Sequence, residues 1–223
     1  MYKYELLNNH YVVNIDGKKF LIDTGSYSFW ITSPMSYVTI DGAKYRLAPN
    51  MLDPEAQEKT FKLVGTTIDG FIGMDVISRT SLTIYKDGNI DFKANNVEGA
   101  TRVPFVRGLG LLINVSSNGV NGKMFVDIGA MYGYGIAELF RGENPYARNQ
   151  YDFNPSPRLR DMYSNVYNQD IVVGDKTKTI KMGFNQGTYG YPLGGDIIMI
   201  ANISTFYDEA CVLDMNRGEL VFK

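Results

Sequence analysis

Apolar residues fall in short runs separated by Asp-Gly pairs and other turn formers, the spacing of strands joined by tight turns. Segments 11–15 and 19–22 flank Asp16-Gly17, 37–40 and 44–47 flank Asp41-Gly42, and 82–85 and 89–93 flank Asp87-Gly88. Asp-Gly supplies the positive φ angles that a two-residue turn requires, so each pair predicts a β-hairpin. Segments 28–32 and 60–64 read as further strands. Ahead of the latter, 49–59 is polar, holds Pro54, Glu55, Gln57 and Glu58, and reads as a loop or one helical turn. Residues 68–77 open as a short apolar strand carrying Gly70 and Gly73 and close as a helical turn. Glycine inside a strand marks a place where another segment approaches closely.

The second half repeats this order of elements. Asn121-Gly122-Lys123-Met124-Phe125-Val126-Asp127-Ile128-Gly129-Ala130 parallels the stretch from Asp16 to Ser26 with one residue deleted, which sets Asp23 and Asp127 104 positions apart. Residues 217–223 parallel 87–93, and 196–204 stand where 71–78 stood, with Ala201 at the place of Gly73. The polar segment 94–107, with Gly99 and Pro104, reads as the crossover. The expected architecture is mostly β, in two related lobes: residues 1–100 and 101–223. Segment 140–170 is rich in Asn, Tyr and Pro without apolar periodicity and reads as a long loop of the second lobe. Segment 184–195 is glycine-rich and aromatic and reads as hairpin tips and loop. It lacks the Lys-Ser/Thr ending of a phosphate loop, and Gly108-Leu109-Gly110 is too short for a nucleotide fingerprint.

Composition narrows the chemistry. The 16 Tyr, 12 Phe and 23 Gly among 223 residues favour strands and tight turns over helices. Hydrophobic content of 44% and charged content of 21% are those of a soluble globular protein, long enough for one large domain or two small ones. The net charge of −2 points to neither nucleic acid nor an anionic membrane. No apolar run approaches the roughly 18 residues of a membrane span, and the opening residues lack the apolar stretch of a signal peptide. A single Cys forms no internal disulfide, which tips the expected location toward the cytoplasm. Cys211 itself, in Ala210-Cys211-Val212-Leu213, reads as a buried packing residue. The one His, His10, leaves no partner pattern for a serine or cysteine hydrolase, no Gly-x-Ser-x-Gly elbow is present, and a His-rich zinc site is ruled out. Carboxylates are the available acid and base; no metal and no cofactor is expected.

One stretch concentrates that chemistry: Phe20-Leu21-Ile22-Asp23-Thr24-Gly25-Ser26-Tyr27-Ser28-Phe29-Trp30-Ile31-Thr32-Ser33. An acid at the break of a buried strand is costly unless hydrogen bonds surround it. Gly25 lets backbone approach the carboxylate, and the Thr24 and Ser26 hydroxyls are donors within reach. A bare Asp-Thr-Gly is also an ordinary turn. The longer run resembles the first active-site loop of pepsin-like aspartic proteases across the eleven positions from Asp23, including the Trp seven residues on. Phe71-Ile72-Gly73, 50 residues after Asp23, matches the hydrophobic-hydrophobic-Gly segment that lies across the catalytic loop in pepsin-like and retropepsin-like proteases.

The resemblance implies a compact two-lobed pepsin-like acid protease fold with Asp23 and Asp127 facing across a cleft. Two carboxylates that close hold one proton between them, and act as base on a water and as acid on a scissile carbonyl. Thr24, Gly25, Ser26, Gly129 and Ala130 are then the supporting residues. Trp30, Tyr45, Phe71, Ile72 and Gly73 are candidates for the substrate wall or flap, with the hairpin at Asp41-Gly42 as the flap. The partner is a polypeptide, and the chain is expected to act as a monomer. Two departures stand out. The family places Thr or Ser after each catalytic Asp, its hydroxyl bonding to the opposite loop; Thr24 fits, Ile128 does not. Ala201 also stands where Gly is usual. The favoured activity is aspartic endopeptidase, and the alternative is an inactive pepsin-like protein that binds peptide or protein in its cleft. A third arrangement pairs two copies of Asp23 in a dimer, with a structural second half.

Overall fold

The computed structural model of the chain describes residues 1–31, 36–49, 52–108, 110–153, 161–184 and 195–223. Strands β1 (Tyr2–Leu7) and β2 (His10–Ile15) form a hairpin whose turn residues, Asn8 and Asn9, have φ of 45° and 67°. β3 (Lys18–Ile22) follows the Asp16-Gly17 turn, where φ is again positive at both residues. β4 (Phe29–Trp30) is short, and β5 (Tyr37–Ile40) pairs with β6 (Ala43–Arg46) as a separate two-stranded sheet. After helix α1 (Pro54–Val64) come β7 (Gly70–Ile72), helix α2 (Met74–Thr80), β8 (Leu82–Tyr85) and β9 (Asn89–Asp91).

The second half contributes β10 (Thr101–Arg107), β11 (Leu111–Ser117), β12 (Val120–Val126), β13 (Gly133–Gly135), β14 (Ala147–Phe153), β15 (Asp161–Val173), β16 (Lys176–Phe184), β17 (Ile197–Ala201), β18 (Ala210–Asp214) and β19 (Glu219–Phe222). Here β11, β12, β17, β13, β16 and β15 pair in turn, and β15 returns to β11 through Ser116 and Val172, closing a barrel. Among the described residues the first half stays open, in the order β1-β2-β3-β7-β4. A six-stranded antiparallel sheet, β1-β9-β8-β18-β19-β10, takes three strands from each half and joins them. One apolar core runs through both halves, from Tyr11, Phe20 and Trp30 to Met182, Phe206 and Phe222. The molecule is mostly β and two-lobed.

Several expected elements differ. Segment 60–64 is the C-terminal half of α1 and not a strand. Asp53 caps the helix by accepting from the Ala56 amide at 2.8 Å, Pro54 starts it, and Gly65 ends it at φ 89°. Ala56, Thr60 and Val64, four residues apart, make its buried face. Those caps outweigh the β-leaning Thr60 and Phe61. Within 140–170, residues 147–153 and 161–170 are strand. Polar Ser164 and Gln169 occupy inward positions of β15, which hides its alternation. Residues 101–107 of the expected crossover are strand β10. The hairpin turn of the second half lies at Asn118-Gly119 (φ 47° and 75°), so Asn121-Gly122 falls inside β12 and not at a turn. Thr32 and Ser33, residue 109, and 185–194 of the glycine-rich segment lie outside the described residues.

Candidate active site

The two acids hold corresponding positions on crossed strands. β3 runs parallel to β7 with Ile22 beside Ile72, and the Asp23 amide donates to the Ile72 carbonyl at 3.0 Å. β12 runs parallel to β17 with Val126 beside Ala201, and the Asp127 amide donates to the Ala201 carbonyl at 3.0 Å. This register corrects the sequence alignment by one residue: Ala201 matches Ile72, and Asn202 matches Gly73. Gly73 has no room for a side chain, since a Cβ there would lie 2.5 Å from the Tyr27 carbonyl carbon.

Each acid leaves its strand into a turn that bonds back to it. Gly25 donates its amide to Asp23 Oδ1 at 2.7 Å, and Gly129 donates to Asp127 Oδ1 at 3.0 Å. The loops then interlock. A Cβ on Gly25 would lie 2.6 Å from Asp127 Oδ2, and one on Gly129 would lie 2.6 Å from Asp23 Oδ1, so each glycine is the floor under the opposite carboxylate. The two carboxyls lie close enough to influence each other's ionisation. Burial pushes the Asp23 pKa up, against the pull of the Gly25 amide and Ser26. Burial raises Asp127 further, aided by the charge of Asp23 and by a third acid, Asp152. Ser26 lies near enough to favour ionised Asp23, yet among the described residues its buried hydroxyl completes no hydrogen bond of ordinary length and angle.

The grip between the loops is one-sided. Thr24 Oγ1 donates to the Val126 carbonyl at 2.7 Å and accepts from the Ile128 amide at 2.9 Å. Ile128, fully buried in the core, has no hydroxyl to return it. Ala130 closes the second turn by donating its amide to the Asp127 carbonyl at 3.3 Å.

Different side chains hold the rest of each loop. Asp75 accepts from the Ser28 amide at 2.7 Å and hydroxyl at 2.6 Å, and that hydroxyl accepts from the Gly73 amide at 2.8 Å. In the second lobe, Asn202 Nδ2 donates to the carbonyls of Asn9, Ile128 and Ala130, and Asn9 Nδ2 donates to the Met131 carbonyl. His10 is buried beside this loop. Burial pushes its pKa down to about 4, against the pull of the Leu7, Asn8 and Gly129 carbonyls. Asp152, also buried, accepts from the Tyr134 hydroxyl at 2.5 Å and from the Phe153 amide at 2.7 Å; burial raises its pKa to about 6. Asp75, Asn202, Asn9 and Asp152 are not among the site residues expected from the sequence. The signal for Asn202 was a register count from Asp127, and for Asp152 an acid set between aromatics in Tyr151-Asp152-Phe153.

The expected wall and flap residues are placed otherwise. Trp30 is buried with its ring edge-on to Phe20 at 5.0 Å, and Ile72 is buried in the same core. Phe71 stacks on Phe29 at 4.4 Å on the other face of the sheet, under α1. These three are core residues because β4 and β7, the short strands beside the acid's loop, also span the core. Tyr45 is half-buried against that core, and the Asp41 turn is tied to β1 by its amide, which donates to the Tyr2 hydroxyl at 2.9 Å. Reach between the lobes comes instead from β14 and β15: Phe153 packs with Leu52 and Ala56, and Lys59 pairs with Asp161 at 2.8 Å. A cavity of about 430 Å³ opens behind the second loop, lined by Asn9, Met131, Tyr132 and Asn202 among others.

No model of a protein family matches the chain, and no curated protein matches it in sequence. Among solved structures it is similar to the aspartic proteinase from Irpex lacteus, with a TM-score of 0.59 and 12% identity over 99% of this chain and 95% of that one. At that identity the likeness is one of fold.

Proposed function

We propose that the chain is an aspartic endopeptidase, with Asp23 and Asp127 as its dyad and the lobes divided near residue 100. The observation that carries this reading is the reciprocal seating of each carboxylate on the glycine of the opposite loop, with both pKa values pushed up. Two acids in one hydrogen-bonded pair share a proton, and their apparent pKa values belong to the pair. The ionised member takes a proton from an attacking water while the protonated member donates to the carbonyl oxygen of the scissile bond. The tetrahedral intermediate then collapses as the amine leaves with a proton from the dyad. The partner is a polypeptide in extended form, and one chain supplies both acids. The neighbour's fold supports this reading.

Ile128 favours a second reading, a protein that binds peptide in the cleft without cutting it. Incubation with a peptide library from acid to neutral pH separates the two. The endopeptidase reading expects cleavage that disappears in Asp23→Asn and in Asp127→Asn, each with wild-type thermal stability or better, since a buried raised-pKa acid is relieved. Peptide binding without cleavage at every pH establishes the second reading instead.

A further inference from the structure

We propose that Asn202 is a positioning residue for Asp127, its amide doing for the second loop what the absent hydroxyl at position 128 does not. The proposal rests on the reading of Asp23 and Asp127 as a proton-sharing pair. Thr24 secures the amide of Ile128 and the carbonyl of Val126, and the Ile128 side chain, having no polar atom, returns no bond. The carbonyls that follow are taken by amide side chains: Asn202 Nδ2 reaches Ile128 at 2.8 Å and Ala130 at 3.1 Å, and Asn9 Nδ2 reaches Met131 at 2.8 Å. Chemistry sets the orientation of the Asn202 amide. Three carbonyls face its nitrogen, and the Ser204 amide donates to its oxygen at 2.9 Å. The residue is 4% exposed, and its bonds to the Ile128 carbonyl and from the Ser204 amide are buried, while those to Asn9 and Ala130 are partly so. Asn9 is locked in turn, its backbone carbonyl accepting from Asn202 and its side-chain oxygen accepting from the Ser204 hydroxyl.

Register makes this a substitution of one device for another. Asn202 stands where the first lobe has Gly73, whose missing side chain lets the first loop lie directly on the strand end. In the second lobe that place carries a side chain, and its amide bonds the carbonyls of the loop. Its two loop bonds bracket Gly129. Gly129 donates its amide to Asp127 and bears against the Asp23 carboxyl, so its position sets both acids at once.

The test follows the carboxyl carbons of Asp23 and Asp127 by NMR through a pH titration of the whole chain. In Asn202→Ala the gap between the pair's two apparent pKa values narrows by about one pH unit, because the acids move apart. Adding Ile128→Thr, which restores a hydroxyl to the grip, widens it again. Where a cleaved peptide is in hand, kcat falls about 10- to 100-fold with KM nearly unchanged, and the double variant recovers. Lower stability with an unchanged gap would overturn the proposal, since a purely structural role predicts that result; so would failure of Ile128→Thr to restore the gap. If Asn202→Ala does not fold, Asn9→Ala carries the same expectation at smaller size, and an unchanged gap there counts equally against it. The titration needs no peptide hydrolysis. A pair that narrows in a chain that cuts nothing would sink the endopeptidase reading and leave this one standing.

Discussion

The two aspartate loops begin alike and are held in opposite ways. Each leaves a parallel strand at an acid, and each turns on a glycine whose amide bonds back to that acid. Beyond that point the first loop is fastened by its amide and hydroxyl to a carboxylate, Asp75, and the second by its carbonyls to an amide, Asn202. The first lies against Gly73, where no side chain fits; the second is bonded by the side chain at the matching place. Two copies of one supersecondary unit thus keep the position of the acid while exchanging donor for acceptor around it. What the pair of lobes shares is the requirement that two carboxyls meet. The means of meeting it are local.

If the loops are equivalent where they touch, Gly25→Ala and Gly129→Ala will hurt alike. Each adds a methyl 2.6 Å from a carboxyl oxygen of the opposite loop, and cleavage is expected to fall on the order of 100-fold or more in both. Steady-state kcat/KM on one peptide measures it, and loss in only one variant would show that the dyad is not built symmetrically. The one-sided grip is next in size. Thr24→Val leaves a buried carbonyl and a buried amide without partners and should cost about 2–4 kcal/mol in denaturant unfolding, whereas Ile128→Val, its counterpart in the other loop, should cost about 1 kcal/mol.

Two titratable groups lie against the second loop and pull stability in opposite directions with pH. The folded-state pKa of His10 is depressed to about 4, so the stability it confers is present above its ordinary value near 6.5 and is lost as pH falls toward 4. Asp152 is raised to about 6, so its contribution is present below its ordinary value of 3.8 and is lost as pH rises through 6. Measured as differences in unfolding free energy across pH, wild type should lose about 3 kcal/mol relative to His10→Gln on acidification. It should lose about 3 kcal/mol relative to Asp152→Asn on going from pH 4 to above 6. Matching pH profiles for a variant and the wild type would show that the group is not buried in its neutral form.

The first loop was legible in the sequence because its chemistry is continuous: Asp23, Thr24 and Gly25 are neighbours along the chain, and so are the turns marked by Asp-Gly pairs. The second loop's support was not. Asn202 and Asn9 come from a strand end and a hairpin turn on opposite sides of residue 127, and only strand register brings them to one loop. Ala201 is the expected Gly73 equivalent along the chain, and only strand register moves that place to Asn202. Apolar pattern also hides α1, whose ends are written in Asp53, Pro54 and Gly65, and β15, whose inward face includes Ser164 and Gln169. The family resemblance makes Trp30 and Phe71 candidates for the cleft; packing puts them in the core.

The central claim is that Asp23 and Asp127 hold one proton between them, and a carboxyl-carbon titration of the unaltered chain tests it most directly. The account predicts two linked steps, with one carboxyl ionising in or near the usual carboxylate range and its partner staying protonated well above it. Replacing either acid by Asn should remove the upper step. Two independent titrations, both near the ordinary aspartate value, would contradict it.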